Sequence, residues 1–263
     1  MREFRHIELS GTDLKDPVTV MGLPGIGNVG RIAIQAMIES LGAIHVMDFY
    51  SDDFPARVTV HDGITSFPKS SIYLYRAAPD EPHDILLLTA DYQPASGKGV
   101  FEYADYVVEE FKSLKVKEIY ALAAYEQGYS EFFKTYPGPP RIFVSASSSD
   151  LLGRIASIEG TIPTREGVIT GANGFIPAWA ATRHNLDGAC FLGETLGIIK
   201  LDYRASREVM QKVASFLGLK SKFDILDDRV NQVIEFIEWA MNEIEHRASQ
   251  GENTDSAPDR YIG

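Results

Sequence analysis

The 263-residue sequence predicts an α/β chain: a three-layer α/β/α sandwich around a mostly parallel sheet, followed by a C-terminal helix. Three observations carry this. Near-continuous apolar runs, such as ILLLT at 85–89 and EIYALAA at 118–124, suit central strands covered on both faces. Helix-period segments lie between the runs, at 26–41, 99–114, 148–155, 178–186 and 204–217. The first run passes directly into a helix through a glycine loop, as a βαβ unit requires.

In chain order, strands are expected at 18–21, 43–49, 71–75, 85–89, 118–124, 141–145, 168–170 and 189–193. Residues 54–75 hold short strand-like pieces divided by Gly63 and Pro68, and read as a hairpin-like edge. Ser147, Ser148 and Ser149 stand ahead of Leu151 and Leu152, where they cap a helix. The α/β domain spans 1–222 and an amphipathic helix 223–248. In that helix Leu226, Val230, Val233, Ile237, Ala240 and Ile244 step by 4, 3, 4, 3, 4, with Ile234 and Met241 widening the stripe. Asp224 caps its start, and Asp227 and Asp228 suit the positive end of its dipole. The stripe either packs on its own domain or is buried against another subunit. Residues 249–263 are polar, acidic and poor in apolar side chains, as in a flexible tail. They end in Arg260, Tyr261, Ile262 and Gly263, which read as a small docking tip for a partner, or as a tail without a role.

The net charge of −12 and pI near 5.0 oppose nucleic-acid binding, which needs a basic face. No run of 18 apolar residues suggests a membrane span. The opening MREFRHIELS has no apolar stretch of a secretory signal, and the single cysteine, Cys190, fits a reducing compartment. A cytoplasmic protein is expected. Cys190 sits in an apolar run and reads as a buried, inert thiol.

The glycine loop leaves two readings open. Gly25, Gly27 and Gly30 fit G-x-G-x-x-G, and Asp48 follows Gly30 by 18 residues. Read as a dinucleotide or anion site, Gly25, Gly27, Asn28 and Gly30 turn backbone amides toward a phosphate, and Asp48 meets a ribose. Read structurally, the glycines only let a helix lie close on a sheet. Pro24 favours the second reading, since it stiffens the turn and removes a donor. Gly167, Gly171 and Gly174 mark a second strand-to-helix turn, whose amides would share a crevice with Asn28, Asn173, Glu126 and Asp91. Residues 94–99 fail the Walker pattern, with Tyr92 and Gly99 at two required positions. Neither the histidine spacings nor a cysteine cluster indicates a metal, and no catalytic triad or dyad emerges. No cofactor is therefore expected, and an enzyme is the less favoured reading.

The segment Gly22-Leu23-Pro24-Gly25-Ile26-Gly27-Asn28-Val29-Gly30 resembles the proteasome assembly chaperone family, whose pattern is roughly G-x-P-G-x-G-x-V-G, proline included. Gly167 to Gly174 looks like that family's second glycine turn, and Cys190-Phe191-Leu192-Gly193-Glu194 like its strand and small-residue loop. The resemblance covers about residues 10–220. It implies an α/β/α fold similar to nucleoside phosphorylases and peptidyl hydrolases, a homo-oligomer, and, as for archaeal members, a chaperone role in proteasome assembly. The partners it implies are proteasome subunits or a paralogous family member. Some members end in a hydrophobic-Tyr-any tail; here Tyr261 is third from the end and Arg260 precedes it.

Overall fold

The computed structural model describes the backbone of residues 1–9 and 14–249, and side chains up to residue 243. The strands are β1 (Arg2–Arg5), β2 (Val18–Gly22), β3 (Ile44–Tyr50), β4 (Thr59–His61), β5 (Ile64–Ser66), β6 (Ser70–Tyr75), β7 (Ile85–Ala90), β8 (Ile119–Glu126), β9 (Ile142–Ala146), β10 (Thr161–Pro163) and β11 (Gly188–Thr195). The helices are α1 (Val29–Leu41), α2 (Gly97–Ser113), α3 (Tyr129–Phe133), α4 (Ser149–Ala156), α5 (Gly171–His184), α6 (Tyr203–Phe216) and α7 (Asp227–Ser249).

One sheet runs β1-β3-β6-β7-β2-β8-β11-β9-β10. Its centre, β7-β2-β8-β11, is parallel. Toward β1 every pairing is antiparallel, and β9 also runs against β11. The sheet is thus parallel where helices connect the strands and mixed toward its flanks, because β6 and β7 are joined by a short loop rather than a crossover helix. Central strands β2, β8 and β11 are buried almost throughout, as their unbroken apolar runs require.

Helices α2 and α5 cover one face, where Tyr103, Val107, Phe111 and Ile176 meet Met21, Phe49 and Leu88. Helices α1, α4 and α6 cover the other, where Ile34, Met37, Leu151, Val209 and Val213 meet Val20, Leu87 and Phe191. This is the expected three-layer sandwich. The expected hairpin forms as β4 and β5, a separate two-stranded sheet whose Ile64 is 73% exposed, with Phe67 beyond it 70% exposed.

Three expectations change. Residues 168–170 form no extended strand, and α5 starts at Gly171, not near residue 178. Gly174 and Pro177 break the helical pattern in sequence, yet both sit inside α5. Gly174 is needed because a Cβ there would lie 2.2 Å from Ile169, and Pro177 packs where Gly188 leaves room. Third, α7 starts at Asp227, and Asp224 contributes its backbone carbonyl to Asp227 N rather than a side-chain cap.

Candidate functional site

The carboxyl ends of β2, β7 and β8 gather the features that the sequence singles out. After Gly22 the chain enters a 3-10 turn, Ile26–Asn28, and then α1. Gly27 and Asn28 take left-handed backbone angles, φ 59° and 49°. The remaining glycines serve contact between backbones. A Cβ on Gly22 would stand 2.2 Å from Gly30 O, and one on Gly30 would stand 2.0 Å from Leu122 O. The helix therefore rests directly on β2 and β8.

Side chains from elsewhere occupy the polar groups of this turn. Buried Asn173 accepts from Leu23 N at 2.9 Å and donates to Leu23 O at 3.1 Å. Gln93 Nε2 donates to Pro24 O, while Gln93 Oε1 accepts from Ala172 N at 2.7 Å. Both glycine turns are thereby stitched together. Asn28 Nδ2 donates to Lys200 O, and Asp202 N donates to Gly27 O at 2.8 Å. The Asp202 side chain is buried beside Gly27, accepting from Thr195 Oγ1 at 2.6 Å and Ala205 N at 2.9 Å. A Cβ on Gly27 would stand 3.3 Å from Asp202 Cβ.

Asp48 lies at the same end of the sheet, level with Gly22 through Ser71 and Thr89, but three strands away from it. β3 is separated from β2 by β6 and β7, a distance of about 14 Å at 4.8 Å per strand. In a dinucleotide fold the ribose acid follows on the adjacent strand. Asp48 here is buried and fully engaged: Lys69 Nζ lies 2.7 Å from Oδ2, Ser71 Oγ 2.6 Å from Oδ1, His45 Nε2 2.8 Å from Oδ1 and His6 Nε2 3.1 Å from Oδ2. Burial alone would raise its pKa, but the hydrogen bonds from Lys69, Ser71 and the two histidines pull it down to about 2. This cluster has no signature in the linear sequence. Among the other crevice residues, Asp91 pairs with Arg31 at 3.2 Å and accepts from Lys69 N, and burial raises the pKa of Glu126. Beside the glycine turn lies a cavity of about 370 Å³ lined by Asn28, Arg31, Gln35, Glu39, Tyr203 and Arg229.

The C-terminal stripe is covered by its own domain. Leu226 joins the α1/α6 layer, and Val233 and Ile237 close over Phe132, Leu196 and Ile199. Val230 is buried as well, and the side chain of Ile244 lies outside the described residues, as do Arg260, Tyr261, Ile262 and Gly263. The opposite side of α7 presents Phe236 and Trp239, the latter 60% exposed, next to a groove formed with Ile198, Ile199, Leu201 and Tyr203. Under this helix Arg204 is buried over the rings of Phe132 and Tyr136, at 4.9 and 5.8 Å. Among the described residues its Nε and Nη2 find no hydrogen-bond partner, and the nearest carboxylate oxygen, on Asp202, is 3.9 Å away. Ser148 caps α4 through Leu151 N, as expected. Cys190 is buried in β11, where burial pushes its thiol up to about 12, the expected inert cysteine.

A model described as the PAC2 family matches residues 19–239. An uncharacterized protein of Methanocaldococcus jannaschii is 25% identical over 266 residues, which span 100% of this chain and 96% of that protein. The crystal structure of Pyrococcus furiosus PbaB, described as an archaeal proteasome activator, superposes with a TM-score of 0.81 at 28% identity, over 91% of this chain and 98% of that one. Pyrococcus furiosus PbaA, described as an archaeal homolog of proteasome-assembly chaperone, superposes with a TM-score of 0.69 at 22% identity, over 90% and 92% of the two chains, a likeness of fold.

Proposed function

The chain belongs to the PAC2 family, and from that premise we propose that it is an oligomeric, proteasome-related chaperone that works through protein–protein contacts. The observation that carries this reading is the near-full-length likeness to the proteasome activator PbaB. Two features of the molecule support it. The polar groups of the signature turn are taken up internally by Asn173 and Gln93, so the turn acts as a structural joint. Apolar side chains remain on the outside of α7 and in the adjoining groove, at Phe236, Trp239, Ile198 and Leu201. We assign the oligomer contact to this outer side of α7, since the inner stripe is already covered. The tip Arg260 to Gly263 is assigned to docking on the proteasome partner, with Tyr261 and Ile262 entering an apolar pocket.

The test uses the full chain, a variant lacking Arg260 to Gly263, and Trp239→Asp. Light scattering should show a multimer for the first two and a lower mass for Trp239→Asp. Purified proteasome α subunits, free and assembled, should be captured by the full chain and more weakly by the shortened one. A monomeric full chain, or equal failure of both to capture either form, would overturn the reading.

A second reading has one observation behind it. The cavity beside Asn28 is lined by Arg31 and Arg229, as an anionic small molecule or nucleotide would require. Titration with NAD, NADP, FAD and ATP decides. Saturable binding that vanishes in Arg229→Ala would favour a ligand-dependent protein.

A further inference from the structure

We propose that His6, His45 and Asp48 form a binding site for a divalent transition-metal ion of the Zn²⁺ type, which clamps the N-terminal edge strand onto the sheet. The three residues come from separate places. His6 directly follows β1, held by the bond from its backbone N to Val46 O at 2.7 Å. His45 and Asp48 lie three apart on β3, a spacing that places side chains on opposite faces of a regular strand. Here the register against β6 slips: His45 pairs with Tyr73 but Met47 with Ile72, so Val46 is extra. Val46 and Met47 both turn into the α2/α5 core layer. His45 and Asp48 thereby come to share the other face, opposite Tyr73 and Ser71. Bulges commonly re-aim side chains at functional sites in this way.

The ligand atoms converge. One donor atom from each residue lies within 4.8 Å of the other two. A tetrahedral ion with bonds near 2.0–2.1 Å holds its ligands about 3.4 Å apart, so the three need close by no more than about 1.4 Å. Two imidazoles and one carboxylate suit Zn²⁺, leaving the fourth position to water. Supporting contacts are present too. Ser71 Oγ donates to Asp48 Oδ1 at 2.6 Å and orients the carboxylate. The His45 ring stacks on Tyr73 with centroids 4.7 Å apart and planes 19° apart. The rings of His6 and His45 lie 4.1 Å apart. Outer groups of this kind fix ligand orientation at metal centres.

Lys69 is the competitor. Its ammonium, 2.7 Å from Asp48 Oδ2, supplies the positive charge that a metal would bring. The lysine side chain is 36% exposed and has solvent to move into. On binding, each neutral imidazole presents an unprotonated Nε2 to the ion and keeps its N–H at Nδ1, while Lys69 swings away from Oδ2. Removing the lysine charge should therefore strengthen binding, whereas for a merely structural salt bridge it would only weaken the fold.

The experiment uses the untagged full-length chain, stripped with a chelator, and measures Zn²⁺ affinity by calorimetry and Co²⁺ geometry by visible absorption. One ion per chain and a tetrahedral Co²⁺ spectrum are expected. His6→Ala and His45→Ala, checked for folding by circular dichroism, should each lose about 10–100-fold in affinity. Lys69→Met should gain about tenfold, a direction opposite to that of any unfolding artefact. Histidines outside the cluster serve as controls, and His83→Ala and His184→Ala should bind as the parent does. Absence of Zn²⁺ binding, binding untouched by loss of His6 or His45, or an affinity unmoved by Lys69→Met would each overturn the site.

Discussion

Two regions at the same end of the sheet are built on opposite plans. At the glycine turn, the nine contiguous residues Gly22 to Gly30 draw α1 onto β2 and β8 until backbones touch, and the polar atoms of the turn are taken up by Asn173 and Gln93. At the β1/β3/β6 edge, groups distant in sequence converge on one carboxylate. The first is conspicuous as a string of letters and chemically closed. The second has no linear signature and is chemically loaded. A short glycine motif reports how near two elements approach, and it does so whatever the protein binds. A convergent polar cluster costs desolvation that packing alone would not demand.

The sharpest way to break the comparison is at Gly30. Gly30→Ala puts a Cβ 2.0 Å from Leu122 O, and the backbone on both sides must move. A loss of at least about 3 kcal/mol is expected, by chemical denaturation, with much of the chain failing to fold. A stable Gly30→Ala protein would mean that α1 stands off the sheet and that the loop has room for a ligand. Asn173→Ala comes next. It leaves Leu23 N and O without partners in a buried setting, at a cost of about 1–3 kcal/mol. A loss of that size with an unaltered circular dichroism spectrum would identify Asn173 as the stitch between the turns. His6→Ala should be the mildest. Its side chain is one-third exposed, and Asp48 keeps Lys69, Ser71 and His45, so the loss should stay below about 1 kcal/mol. If thermal melting instead shows His6 to matter as much as Asn173, the edge is a structural clasp and the contrast between the two regions fails.

What the sequence made legible follows the same division. Local signals came through: the β2–α1 turn, the Ser148 cap and the apolar runs of β7 and β8 are each set by neighbours in the chain. The strand β1 was missed because its REFR, half-polar and at the sheet edge, carries no burial signal. The start of α5 was missed because Gly174 and Pro177 are breakers by propensity, tolerated only through contacts with Ile169 and Gly188. The Asp48 cluster was hidden twice. Its histidines lie 42 and 3 residues from Asp48, and the nearer spacing reads as opposite faces until the bulge at Val46 is known. The C-terminal stripe was plain as a pattern, but a pattern states only that a face is covered. Val233 and Ile237 show that the domain covers it itself.

Arg204 gives the molecule a seam. Its guanidinium lies against Phe132 and Tyr136 beside the cluster that Val233 and Ile237 of α7 close, with two nitrogens lacking a hydrogen-bond partner among the described residues. Closure here also buries a charge whose carboxylate partner, Asp202, stands as far off as 3.9 Å, and lifting α7 would return it to water. The helix that closes this charged spot is therefore held less firmly than its buried stripe alone would suggest. The first breath of the native state should be taken there, with the sheet behind it undisturbed.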